Sequence, residues 1–130
     1  MKGQTAIEFM SMVGLSMIIL ATLYGFMAQK QSEAYRYQNT VEARAIADDI
    51  GYNAEMALAQ GEGYGRTISI PPRIGGQTYN VTMRNGTVYI GWGDQFVTES
   101  TLYQGRPIEV KSTDRTFMVK NNGSVYITPQ

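Results

Sequence analysis

Glu8 is the one charged side chain in residues 4–28, which read QTAIEFMSMVGLSMIILATLYGFMA. A carboxylate in so apolar a run is expensive in lipid, which marks it as a functional candidate by default. Just ahead of the run stands Lys2-Gly3, followed by Gln4. A secretory signal is cut after its apolar segment at a small-residue site, and no convincing A-x-A-like site follows here. A cut between Gly3 and Gln4 would instead keep the helix in the mature chain. Three Asn-x-Ser/Thr sequons supply amide nitrogens for glycans: Asn80-Val81-Thr82, Asn85-Gly86-Thr87 and Asn122-Gly123-Ser124. Asn85 and Asn122 also have a turn role that accounts for Asn-Gly, whereas Asn80 has none.

Little other chemistry is open to the chain. Histidine and cysteine are both absent, which removes the commonest general base, the usual zinc ligands and any disulfide. Glu42, Asp48 and Asp49 could be imagined as metal ligands. Neighbours on a helix point in different directions, however, and a solvated face is the simpler account. No enzyme, metal or cofactor is expected. Lys and Arg number 11 against 11 Asp and Glu, and they are scattered, so no basic stripe suggests nucleic acid.

The elements that must carry these residues follow from pattern and length. At 130 residues the chain holds one modest domain plus its helix. Residues 4–28 are long enough, as a helix, to cross a hydrocarbon core about 30 Å thick. Gly14 is one of several small residues in this run. Ala21 and Gly25 form a small-x-x-x-small pair that lets helices approach closely, although glycine is also simply common in membrane helices. From residue 29 to 60 no proline appears, and Ala43, Ile46, Ile50, Ala54 and Ala57 recur at helical spacing. The pattern predicts one helix, apolar all round in its first half and amphipathic in its second. The glycines of residues 61–65 end it.

The rest reads as β. Asn85-Gly86 is a two-residue hairpin turn that sets Met83 against Val88, Val81 against Ile90 and Tyr79 against Trp92. A one-residue slip would spoil this agreement. Residues 66–70, 95–97, 101–103 and 108–111 read as shorter strands. A last hairpin over residues 116–127, with Asn121-Asn122-Gly123 as its loop, sets Val119 against Val125 and Phe117 against Ile127. The fold class is therefore α+β, a long N-terminal helix with a small antiparallel β-sandwich or barrel-like C-terminal head. The helix stripe packs against the sheet and completes a thin core. The expected division is a leader at 1–3, a helix at 4–62 whose part 4–28 serves membrane or filament core, and a β-rich head at 63–130. Tyr24, Tyr35 and Tyr37 suit an interfacial belt or filament packing equally. Tyr89 and Tyr103 are either exposed contacts for surfaces or ordinary strand residues.

Lys2-Gly3 followed by Gln4-Thr5-Ala6-Ile7-Glu8-Phe9 resembles the archaeal type IV pilins. Their class III leader ends in a basic residue and Gly, and their mature chain opens Q-x-S-x-E-F or a close variant. Glu8 falls fifth counted from Gln4, as in type IV pilins generally. The resemblance covers the start of the chain to about residue 28 and not the head. It implies cleavage by a leader peptidase between Gly3 and Gln4, and a membrane-inserted pool before assembly. An ATP-driven machine would then stack subunits into an extracellular homopolymer. Glu8, Phe9, Gly14, Ala21 and Gly25 are the expected assembly residues. The resemblance also implies that Glu8 pairs with a neighbouring subunit's N-terminus. Adhesion to surfaces and contact with other cells are the expected roles. Swimming filaments of the same superfamily usually lack a Q-T-x-x-E-F opening and come second. A signal-anchored monomeric surface protein with a ligand-binding β domain is the rival from another class.

Overall fold

Helix α1 spans Lys2–Gln60 without a break. This computed structural model describes residues 1–111 and 116–129, and of Lys2 the backbone alone. The chain divides into two units, Met1–Tyr37 and Gln38–Gln130. The helix stops where expected, at a glycine. Gly61 has φ 77°, the left-handed conformation that closes a helix C-terminus without a Cβ clash.

The second unit contains the last part of α1 and, among the described residues, seven strands. They are β1 (Gly65–Ser69), β2 (Tyr79–Arg84), β3 (Thr87–Trp92), β4 (Gln95–Ser100), β5 (Ile108–Lys111), β6 (Thr116–Asn121) and β7 (Val125–Pro129). They form two antiparallel sheets, ordered β4-β3-β2-β5 and β1-β6-β7. Strands β5 and β7 approach one another where the sheets meet. The expectation of an α+β fold, a long N-terminal helix followed by an antiparallel β unit, holds.

The β2–β3 hairpin has the expected register, with Tyr79 opposite Trp92, Val81 opposite Ile90 and Met83 opposite Val88. Asn85 at φ 49° and Gly86 at φ 73° supply the two positive dihedrals of a type I′ turn. All six paired apolar side chains are buried, and they share one core with the helix stripe. The stripe is Ala43, Ile46, Ala47, Ile50, Ala54 and Ala57, all buried. Four of these are alanines, so the strands can come close to the helix backbone while Ile46 and Ile50 fill the space between. Gly51 lies on the same face, and a Cβ added there would touch Val88 and Thr101 at 3.7 Å.

Two expectations about strands are corrected. In the last hairpin Val119 faces Ile127, Asn121 faces Val125 and Phe117 faces Pro129, a shift of two residues. Asn121 belongs to the strand and is buried, and the loop is Asn122-Gly123-Ser124, with Gly123 at φ 83°. The shift preserves every inside and outside face, because the side-chain period is two. Residues 101–103 form no strand. Instead Thr101 N–H donates to Gly86 O and Gly86 N–H donates to Tyr103 O, both at 2.9 Å. The segment is thereby clamped over the β2–β3 turn.

Candidate functional site

In the first unit every described side chain, from Gly3 to Tyr37, is exposed. Ile7, Phe9, Met10, Met12, Leu15, Met17, Ile18, Leu20, Leu23, Phe26 and Met27 are each more than half exposed. At about 100° per residue they stand on every face of the helix. The helix is long and apolar enough to cross a membrane.

Three hydroxyls of its apolar run bond back to the preceding turn. Ser11 donates to Ile7 O, Ser16 to Met12 O and Thr22 to Ile18 O, each at 2.8 Å. Such bonds to the preceding turn let hydroxyls sit in an apolar medium. Glu8 differs: no cation lies within ion-pair distance of its carboxylate among the described residues. Lys30, the next cation along the helix, pairs with Glu33 at 2.8 Å.

Gly14, Ala21 and Gly25 fall within about 40° of one another round the helix, a single stripe of small residues. A Cβ added at Gly14 or Gly25 would meet nothing within 4 Å. No contact among the described residues therefore requires glycine there, although each glycine in a helix interior costs about 1 kcal/mol relative to alanine. Glu8 stands about 120° from Gly14, and Phe9 is on a further face. The expected assembly residues thus share one unit but not one face. At the expected cleavage junction, Gly3 and Gln4 lie inside α1 and are both exposed. Tyr24, Tyr35 and Tyr37 are exposed as well.

The sequons all lie in the second unit, and Asn80, Asn85 and Asn122 are all exposed. Asn80 is on the outer face of β2, opposite Gly91. Asn85 occupies the β2–β3 turn and Asn122 the β6–β7 turn. Of the two tyrosines read as either surface contacts or ordinary strand residues, Tyr89 is a half-buried residue of β3, with the Arg84 guanidinium 5.3 Å from its ring centroid. Tyr103 is buried, and its hydroxyl donates to Arg106 O at 2.8 Å and Val125 O at 3.3 Å. With 1% of its surface exposed it is a core residue and not a surface contact, and that burial raises its pKa.

Sequence reasoning missed the polar contacts that the helix makes with the segment after β4 and within its own turns. Glu55 Oε1 accepts from Thr101 Oγ1 at 3.0 Å and from Leu102 N at 2.8 Å. Asp49, read as a solvated carboxylate, is exposed and accepts from the buried Asn53 amide at 3.1 Å. These partners are some 46 residues apart or on an adjacent helix turn, and only the former was beyond any local signal. No known family, curated sequence or solved structure matches the chain.

Proposed function

We propose that this chain is the structural subunit of an extracellular filament of the type IV pilus kind, serving surface adhesion and cell contact. One contrast carries the reading. The stripe from Ala43 to Ala57 is buried within the chain's own core, whereas the apolar side chains of residues 7–27 are exposed on all faces. A helix apolar all round is stable only when lipid or other helices surround it. A single partner helix would cover one face and leave Phe9 or the Gly14–Gly25 stripe bare. Lipid before assembly and several neighbouring copies afterwards satisfy every face.

In this reading a leader peptidase cuts after Gly3, and an ATP-driven assembly machine moves the subunit from membrane to filament. Asn80, Asn85 and Asn122 then face the outside and carry glycans. The same exposed surface also suits a membrane-anchored monomer, and the two readings part at Gln4 and Glu8. Filaments sheared from cells, imaged by electron microscopy and analysed by mass spectrometry, test the proposal. The expected result is this chain as a main subunit with its N-terminus at Gln4. A chain that stays in the membrane fraction with Met1 intact rejects it.

A further inference from the structure

Three residues on the outer face of the four-stranded sheet stand in one cross-strand row. Asn80 of β2 is opposite Gly91 of β3, and Gly91 is opposite Phe96 of β4. Phe96 is 76% exposed, which is unusual for a phenylalanine on a sheet whose other face forms the core. Gly91 is equally hard to explain from the fold. Glycine in a strand interior weakens it, and it often marks a place where another group approaches closely. Here its φ is not positive, and an added Cβ would meet only Gln95 O at 3.9 Å. Nothing among the described residues needs that space.

We infer that the first sugar of a glycan on Asn80 lies over Gly91 and stacks on the ring of Phe96. The inference rests on the reading that this unit faces the outside and is glycosylated. Attachment is a group transfer from an activated sugar donor of the lipid-linked phosphate class. The Asn80 amide nitrogen forms a bond to the sugar C1 and loses one proton, and the C1–O bond to phosphate breaks as the lipid phosphate leaves. The geometry then does the rest. Asn80 and Phe96 are two strand spacings apart, about 10 Å. An asparagine side chain with one pyranose ring bridges that distance, provided that the strand between carries no side chain. The C–H bonds on a pyranose face carry partial positive charge, and the face of a phenyl ring is negative. A sugar laid flat on Phe96 therefore covers exposed apolar surface and gains this attraction. Asn85 and Asn122 sit in turns, and neither has a glycine-then-aromatic row beside it.

The test uses the full chain isolated in detergent from cells that secrete it. Glycopeptide mass spectrometry reads occupancy of each sequon, and thermal melting reads the stacking. Asn80→Gln and Phe96→Ala are each expected to lower Tm by about 4 °C, and the double variant no further. Gly91→Val supplies the signature that a merely structural role would not produce. It should raise Tm in the Asn80→Gln background, where valine simply suits a strand, and lower it when Asn80 carries sugar. Additive losses, or a Gly91→Val effect of the same sign in both backgrounds, overturn the stacking while glycosylation stands. Sugar on Asn85 or Asn122 with Asn80 bare overturns the stacking and leaves the outward placement intact. All three bare overturns both.

Discussion

The side-chain amide of Asn121, at the end of β6, donates to the main-chain carbonyl of Ala57 across 2.7 Å. The carbonyls of a last helical turn have no partner within the helix. Ala57 is fully buried, so its carbonyl is cut off from water and the sheet supplies the missing donor. The same side chain's Oδ1 accepts from Gly123 N at 3.1 Å, which ties the β6–β7 turn to the helix end.

Asn121→Ala should therefore destabilise the protein by about 1–3 kcal/mol, the cost of a buried carbonyl left unpaired. Asn121→Asp keeps an acceptor for Gly123 but turns a carboxylate toward Ala57 O, and should be worse. Urea unfolding of the full chain in detergent measures both. A smaller loss for Asp than for Ala would show that the turn, not the helix end, is what Asn121 holds.

How much of this could be read in advance depended on how local the deciding interaction is. The β2–β3 register was legible because Asn85-Gly86 admits one tight turn and an adjacent slip would expose six apolar residues. The β6–β7 register was not, since a shift of two leaves the same faces inside. What decides it is Asn121 reaching Ala57, 64 residues away. Tyr103 misled for a related reason: its hydroxyl is satisfied by carbonyls of Arg106 and Val125, which permits burial that composition alone does not announce. Glu8 and the small residues of the helix were legible because a charge or glycine in an apolar run stands out without any tertiary information.

Two glycines should respond to alanine with opposite signs. At Gly51 an added methyl makes ordinary contacts at 3.7 Å, and the helix interior gains from losing a glycine. Gly51→Ala should stabilise by about 0.5–1 kcal/mol. Gly75 has φ 55°, and a Cβ there would run into the amide of Asn39. Gly75→Ala should destabilise by about 1–2 kcal/mol from the left-handed backbone alone. Thermal melts of the two variants check the signs, and a stabilising Gly75→Ala would refute this account of the turn.

Stability should fall in alkali through Tyr79. Its hydroxyl donates to Pro71 O at 2.5 Å. Burial first, and the Glu42 carboxylate second, raise its pKa well above the ordinary 10.0. The unfolded chain then loses this proton near pH 10 while the native chain keeps it. The contribution is fully present below that pH and declines as pH rises through and beyond it. Tm measured from pH 8 to pH 11 should drop less steeply for Tyr79→Phe than for the parent, with a residual slope from Tyr103. Equal slopes would mean that Tyr79 titrates alike in both states.

Truncation separates the two halves of α1. A fragment of residues 29–130 retains the buried stripe from Ala43 to Ala57 and lacks the apolar half. It should be soluble, monomeric and β-rich by sedimentation and circular dichroism. A fragment of residues 65–130 loses Ile46, Ile50 and the four buried alanines, and exposes Val88, Ile90 and Phe117, which share their core. Exposed apolar sheet faces associate, so it should aggregate. A folded, monomeric 65–130 fragment would show that the helix does not complete the core.

Glu8 tests the proposed assembly most directly. In a membrane its carboxylate, near the start of the apolar run, can stay at the headgroups. In a filament core apolar helices would surround it, and a buried charge without a partner costs several kcal/mol. Residues 4–28 contain no Lys or Arg to pair with it. In the proposed filament the cation left to it would be the α-amino group that cleavage frees at Gln4, one helical turn away in its own chain or on a neighbouring copy. Pairing with a neighbour would also set how far along the axis an incoming subunit comes to rest. Glu8→Gln removes the charge and keeps the shape, so cleavage, membrane insertion and folding of the β unit should be unchanged. Filament number per cell, counted by microscopy at matched subunit levels, should fall at least tenfold, the consequence of losing about 1.4 kcal/mol at each subunit addition. Glu8→Ala should behave the same way. An interfacial acid with no part in assembly predicts normal filaments from both variants, and abundant filaments from Glu8→Gln would end the pairing hypothesis.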